Sequence, residues 1–260
     1  MGGYATVSPR EQYGLTDAEI HTIEEVELSH WFYRGMREAC ATLMEPFLPA
    51  RRPLRVLDIG CGTGGNMLQL ASLGEVHGID PNPLCVGYSR RKGLACEEGS
   101  MTDFSRVPPP FDLVTMFDVL NQADPSDVVP ILSGVYRALS PNGLLVLREP
   151  AMRIAGGAHD RATGIQQRFV RADVRDTLQS AGFEPLRITY LNTLLFPLIV
   201  LRRRLGDVVM GSEHAASDLQ PTRGWLNALL LGVLRAEGRL LRMVDLPFGV
   251  SIFAVARKLP

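Results

Sequence analysis

Hydrophobic positions along this chain follow two rhythms. From residue 54 to residue 150, short apolar runs of strand length alternate with amphipathic segments of helical pattern. LRVLDIG predicts a first strand running into a glycine loop, and NMLQLASLG a helix closed by Gly74. EVHGID reads as a second strand, LCVGYSRRKG as a helix, LACEEGS as a short third strand and FDLVTMFD as a fourth. A helix follows from Pro125 to Leu139, then the turn Ser140-Pro141-Asn142-Gly143 and a fifth strand in NGLLVLREP. RADVRDTLQSAGF is helical, EPLRITYL is strand-like, and PFGVSIFAVARK ends the chain in an alternating pattern. Ahead of these, residues 16–48 read as helical, starting near Thr16 and Asp17 and stopping near Pro46 and Pro49.

Strands alternating with helices predict an α/β fold with a mostly parallel sheet and helices on both faces. Such sheets bind ligands at the carboxyl ends of their strands, which selects the loops after Ile59, Ile79, Glu98, Phe117 and Leu147. Residues 191–246 separate the last two strands and carry an apolar helical pattern of their own, including WLNALLLGVLRAEGRLLRMV. They predict an inserted helical cap. The most lipophilic stretch, LLFPLIVL, is far short of the ~20 residues a spanning helix needs, so no stable membrane insertion is expected.

Composition narrows the function classes without choosing one. Hydrophobic residues make up 46% of the chain and charged residues 21%, the balance of an ordinary globular protein. A formal net charge of -1 gives no electrostatic reason to expect nucleic acid as a partner. The four cysteines form no CxxC pair and no metal-ligand spacing, and the N-terminus lacks a basic-then-apolar leader. Reduced thiols in a cytoplasmic protein, monomeric or homodimeric and without a bound metal, are the expectation.

Chemistry enters at LDIGCGTGGN. Gly60 to Gly65 satisfy the GxGxxG dinucleotide pattern, which alone is weak. The same residues place an acid, Asp58, two positions before GxGxG. A pyrophosphate repels a nearby carboxylate, so Asp58 suits a ligand bearing an ammonium or sulfonium group and disfavours a nicotinamide oxidoreductase. Asp80 ends the second strand, where a carboxylate can accept both hydroxyls of a ribose. Cys61, inside the loop, reads as a small filler.

VLDIGCGTGGN, GID, EEGSMTDF, FDLVTMFDVL and LSPNGLLVL occur in an order and spacing that resemble the class I S-adenosylmethionine-dependent methyltransferases. HWFYRGMRE, NTLLFPL and LPFGVS further resemble a bacterial small-molecule subgroup of that family. The resemblance implies a Rossmann-like seven-stranded sheet with an antiparallel last strand, and S-adenosyl-L-methionine as cofactor. It divides the chain into an N-terminal helical lid (1–50), a cofactor domain (51–190 and 247–260) and the cap (191–246). Carried onto this sequence, it implies that Gly60 and Gly62 admit the methionine moiety and that Asp80 holds the ribose beside Pro81. Ser100 and Met101 would border the adenine, and Phe117 and Asp118 the methyl side. Trp31, Phe32 and Tyr33 would close over the cofactor, with Arg34 or Arg37 forked onto its carboxylate.

Methyl transfer from a sulfonium requires alignment and exclusion of water, and needs a base only where the acceptor must lose a proton. Many relatives carry Glu-His where this chain has Asn121-Gln122, and neither amide can take a proton at neutral pH. Gln122 is therefore expected to orient the acceptor. The candidate bases are His159 and Asp160 in GGAHDRATG, with Tyr33, His30 and Glu149 behind them. The apolar cap points to a lipophilic small-molecule acceptor in secondary metabolism. The alternative is a cofactor-binding protein that has lost transfer and catalyses a cyclisation or isomerisation.

Overall fold

The computed structural model describes residues 15–156, 160, 165–209 and 222–260. Seven strands, β1 (Leu54–Ile59), β2 (Gly74–Asp80), β3 (Ala95–Glu98), β4 (Phe111–Phe117), β5 (Leu139–Pro150), β6 (Phe183–Leu191) and β7 (Ser251–Lys258), form one sheet in the order β3-β2-β1-β4-β5-β7-β6. Pairing is parallel from β3 through β5, and β7 runs antiparallel between β5 and β6. The expected sheet and its antiparallel last strand are both present. The expected turn at Ser140–Gly143 lies inside β5. Pairing jumps from Phe111 opposite Leu139 to Leu113 opposite Leu144, and Asn142 adopts a φ of 61°. Turn-forming residues here make a bulge rather than a strand boundary.

Eight helices flank the sheet among the described residues: α1 (Asp17–Val26), α2 (Trp31–Met44), α3 (Gly65–Leu70), α4 (Pro83–Arg91), α5 (Val128–Ala138), α6 (Arg171–Ser180), α7 (Phe196–Val209) and α8 (Gly224–Leu241). The single helical stretch expected over 16–48 is two helices. Thr16 and Glu19 form a capping box on α1, while the His30 side chain accepts from the Phe32 N–H and so starts α2 afresh.

Alternate strand residues build two cores, as the two-residue strand period requires. Leu57, Ile59, Val114, Met116, Leu145 and Leu147 pack on one face with α5 and α6. Val56, Leu113, Val146 and Phe253 pack on the other with Met36, Cys40 and Leu43 of α2. One side of α2, within the segment expected as a lid, is therefore sheet core. Gly35 lets α8 approach α2 closely: a Cβ there would lie 2.4 Å from Leu234 Cδ1. Arg235 of α8 pairs with Glu38 of α2 through two bonds of 2.7 and 2.8 Å. No helix among the described residues is long and apolar enough to cross a membrane.

Candidate active site

Strand order reverses between β1 and β4, and a cavity of about 550 Å³ opens there. Its floor comes from the loops after β1, β2 and β4 and from the end of β5. Its roof comes from the start of α2, from Ile199, Arg202 and Arg203 of α7, and from Leu226 and Leu230 of α8.

The glycine loop shapes one half. Gly60 and Gly62 have φ values of 71° and 56°, the left-handed region that glycine occupies without strain. A Cβ on Gly60 would strike Val119 at 2.4 Å, whereas one on Gly62, which lines the cavity, meets no atom within 4 Å. Backbone therefore faces open space where a ligand can lie against it. Across from it, Asp80 Oδ2 accepts from Gly62 N and Oδ1 from Asn82 N, each at 2.9 Å. The Cys85 thiol, a weak donor, is a third partner of this carboxylate. Burial pushes this carboxyl up to about 6, and the two backbone donors pull it back down. Pro81, Ser100, Met101 and Phe117 complete this half of the wall.

Glu27 closes it from α1. Its Oε2 accepts from Gly65 N at 3.1 Å, at the start of α3, and its Oε1 accepts from Lys92 Nζ at 2.6 Å. Lys92 also donates to Thr63 O at 2.6 Å, and Arg37 Nη2 donates to the Glu27 carbonyl at 2.7 Å. Arg37 lines the cavity; Arg34, its expected alternative, does not. Asp58 is likewise absent from the wall. It is buried behind the glycine loop, where Oδ1 accepts from Thr115 at 2.6 Å and burial raises its carboxyl to about 7. Its part in recognising a cation is indirect at most, through the shape of the loop it supports.

Glu149 organises the other half. Its Oε1 accepts from Val119 N and Leu120 N, and its Oε2 from Asn121 N and Asn121 Nδ2, at 2.8 to 3.1 Å. Burial, reinforced by the charge of Asp118, pushes this carboxyl up to about 8, and the hydrogen bonds from Asn121, Leu120 and Val119 oppose that shift without cancelling it. The Asn121 amide thus turns its NH2 toward Glu149. Asn121 Oδ1 then points away, buried without a partner, and Asn121 and Gln122 both line the cavity. Beside them, Asp118, at a φ of 61°, pairs with buried Arg148, which lies 5.1 Å from the Phe117 ring centroid.

Among the expected catalytic residues, His159 lies outside the described residues. Asp160 is not a free base: both oxygens are taken by Arg168, at 2.8 and 2.6 Å, and Arg168 also donates to Ala151 O. Tyr33 lines the cavity, but burial, with Asp118 and Glu27 nearby, raises its phenol far above the ordinary value. It serves as a neutral hydrogen-bonding group and not as a base at neutral pH. Glu27, Arg148 and Arg168 were not anticipated; each acts through a partner distant in sequence. Asp160→Ala should strip Arg168, whose side chain is 4% exposed, of its counter-charge. A loss of about 3 kcal/mol is expected in urea denaturation, with the pH–rate profile unmoved.

Residues 56–143 match the family described as a methyltransferase domain. An uncharacterized methyltransferase of Synechocystis sp. is 29% identical over 146 residues, 51% of this chain and 68% of that one. A ubiquinone biosynthesis O-methyltransferase of Cereibacter sphaeroides is 30% identical over 158 residues, 51% of this chain and 61% of that one. The fold is shared with phosphoethanolamine N-methyltransferase 2 of Haemonchus contortus, solved in complex with S-adenosyl-L-methionine. That likeness has a TM-score of 0.64 at 18% identity and covers 98% of this chain and 61% of that one.

Proposed function

Because this chain belongs to the class I S-adenosylmethionine-dependent methyltransferases, we propose that it methylates a lipophilic small molecule in secondary metabolism. The observation that carries this reading is the cavity, which joins a glycine-and-carboxylate cradle to a roof where Ile199, Leu226 and Leu230 stand beside Arg202 and Arg203. Bound S-adenosylmethionine supplies an electrophilic methyl group on a sulfonium. Asp80 is suited to accept from its ribose, with Gly60 and Gly62 leaving room for the methionine end. Arg37 is placed to meet the carboxylate.

The acceptor side is largely preset by the hydrogen bonds of Glu149. Asn121, its NH2 held by Glu149, leaves Oδ1 as a buried acceptor without a partner at the cavity wall, suited to a hydrogen bond from the nucleophile's O–H or N–H that aligns it without removing its proton. Gln122 offers a second such contact. Where the acceptor must lose its proton, His159 is the proposed base. His159→Ala should then abolish the acid limb of the pH–rate profile and leave cofactor affinity intact; an unchanged profile removes it from the mechanism.

The decisive assay offers the protein S-adenosylmethionine with a panel of lipophilic phenols, catechols and quinols, and follows S-adenosylhomocysteine together with the mass of each acceptor. Stoichiometric S-adenosylhomocysteine and a methylated product are expected. An acceptor that isomerises or cyclises with no S-adenosylhomocysteine formed would favour a lost-transfer cyclase instead.

A further inference from the structure

Helix α8 carries apolar residues on two opposite sides. One side buries Leu231, Leu234 and Leu241. The other runs Trp225, Leu229, Gly232, Ala236 and Leu240, and continues to Met243 just past the helix, at steps of three and four. All of these face solvent, with Trp225 68%, Leu229 57% and Met243 84% exposed. A helix whose outer side meets only water has polar residues there, and this stripe has none. Arg239 and Arg242 each sit one position before a stripe residue and form a basic edge along it, while Arg235 is paired with Glu38 of α2. The only acid in α8, Glu237, is buried, with its carboxylate accepting from Asn192 N and Leu194 N.

We propose that this face of α8 docks on the surface of an anionic lipid bilayer. An apolar stripe seated at the depth of the acyl boundary, edged by arginines that reach back to the headgroups, is the geometry of an interfacial helix. Tryptophan at one end suits the same boundary. A second copy of the chain fits less well. The stripe of a partner α8 brings further arginines and no exposed acid, so Arg239 and Arg242 would meet like charge. A bilayer rich in phosphatidylglycerol answers both the apolar stripe and the basic edge. The docked helix also forms part of the cavity roof through Leu226 and Leu230, which places the cavity beside the membrane. Only that last link rests on the proposed lipophilic acceptor; the docking face stands on α8 itself.

The test is flotation of the full chain, without cofactor or acceptor, on vesicles of phosphatidylglycerol and phosphatidylcholine in equal parts or of phosphatidylcholine alone. The protein should float with the anionic vesicles at about 0.1 M NaCl, much less at higher salt, and little with the neutral ones. Arg239→Gln with Arg242→Gln should weaken anionic binding roughly thirtyfold, about fivefold for each charge. Trp225→Ser with Leu229→Ser should release the protein from the vesicles while its melting temperature and S-adenosylmethionine affinity hold. Trp225 emission should shift to the blue on vesicles, and the shift should vanish in Trp225→Phe. The proposal is overturned if the wild-type chain stays unbound on anionic vesicles. It is equally overturned if light scattering shows a dimer that Trp225→Ser with Leu229→Ser dissolves. Neither outcome touches the acceptor class, which is read separately by S-adenosylhomocysteine formation.

Discussion

Asp80→Asn should weaken S-adenosylmethionine binding by at least about a hundredfold. The carboxylate is ringed by donors: Gly62 N and Asn82 N take one lone pair on each oxygen, and the Cys85 thiol a further one. The last lone pair and the one held by the weakly donating thiol, which a hydroxyl displaces, are those proposed to meet the ribose hydroxyls. Hydrogen bonds to a charged group are worth about 1.5–3 kcal/mol each, so losing two is worth about 3 kcal/mol or more. Asparagine keeps the shape but cannot keep the bonding, because its NH2 must face one of the two backbone N–H donors. Titration calorimetry of the wild type and the variant measures the difference. The pH dependence gives a second, signed check. Burial holds the Asp80 carboxyl up at about 6, so the wild type should lose cofactor affinity as pH falls through 6, and the variant should show no such slope. Equal affinities in the two proteins would remove Asp80 from the cofactor site.

Glu149→Ala should be the most destabilising single change near the cavity. It leaves four N–H donors of Val119, Leu120 and Asn121 without an acceptor in a buried turn. A buried donor left unsatisfied costs about 1–3 kcal/mol. The four together come to roughly 4 kcal/mol or more, a large share of the 5–15 kcal/mol that typically holds a domain folded. For a chain of this size a melting temperature lower by about 10 °C follows. Glu149→Gln should cost less, since its carbonyl serves one pair of donors while its NH2 opposes the other. The pH dependence again has a definite sign. The folded carboxyl lies at about 8, above the ordinary 4.5, so its contribution to stability is full below pH 4.5 and is lost as pH rises through 8. Urea titrations between pH 5 and 9 should show that decline in the wild type and a flatter curve in Glu149→Ala.

The same two residues separate what local pattern reveals from what it hides. Asp80 was readable because its whole context is local: an apolar strand, an acid at its end and a proline after it, one helix beyond a glycine loop. Strand and helix periods repeat within a few residues, so the succession of elements and the strand ends that carry the loops could be inferred before any contact was known. Asp58 shows the limit of that inference. Its spacing before the glycines was informative, yet its side chain points into the core toward Thr115 and not into the cavity.

Glu149 was visible only as a weak candidate base, and its role as the acceptor for a turn 28–30 residues away left no local mark. The pairing of Arg148 with Asp118 spans 30 residues, and Arg168 took Asp160 out of contention through geometry alone. Nor could sequence separate the two apolar sides of α8, since burial depends on which side meets α2 and the sheet. By itself, then, the sequence determined the succession of strands and helices and the mostly parallel sheet, because these rest on short-range periodicity, while the methyl donor followed from the resemblance of whole motifs to a family. The tertiary structure alone decided which carboxylates are free, which way the Asn121 amide points and which side of α8 meets solvent. Those depend on partners that only folding brings within hydrogen-bonding distance.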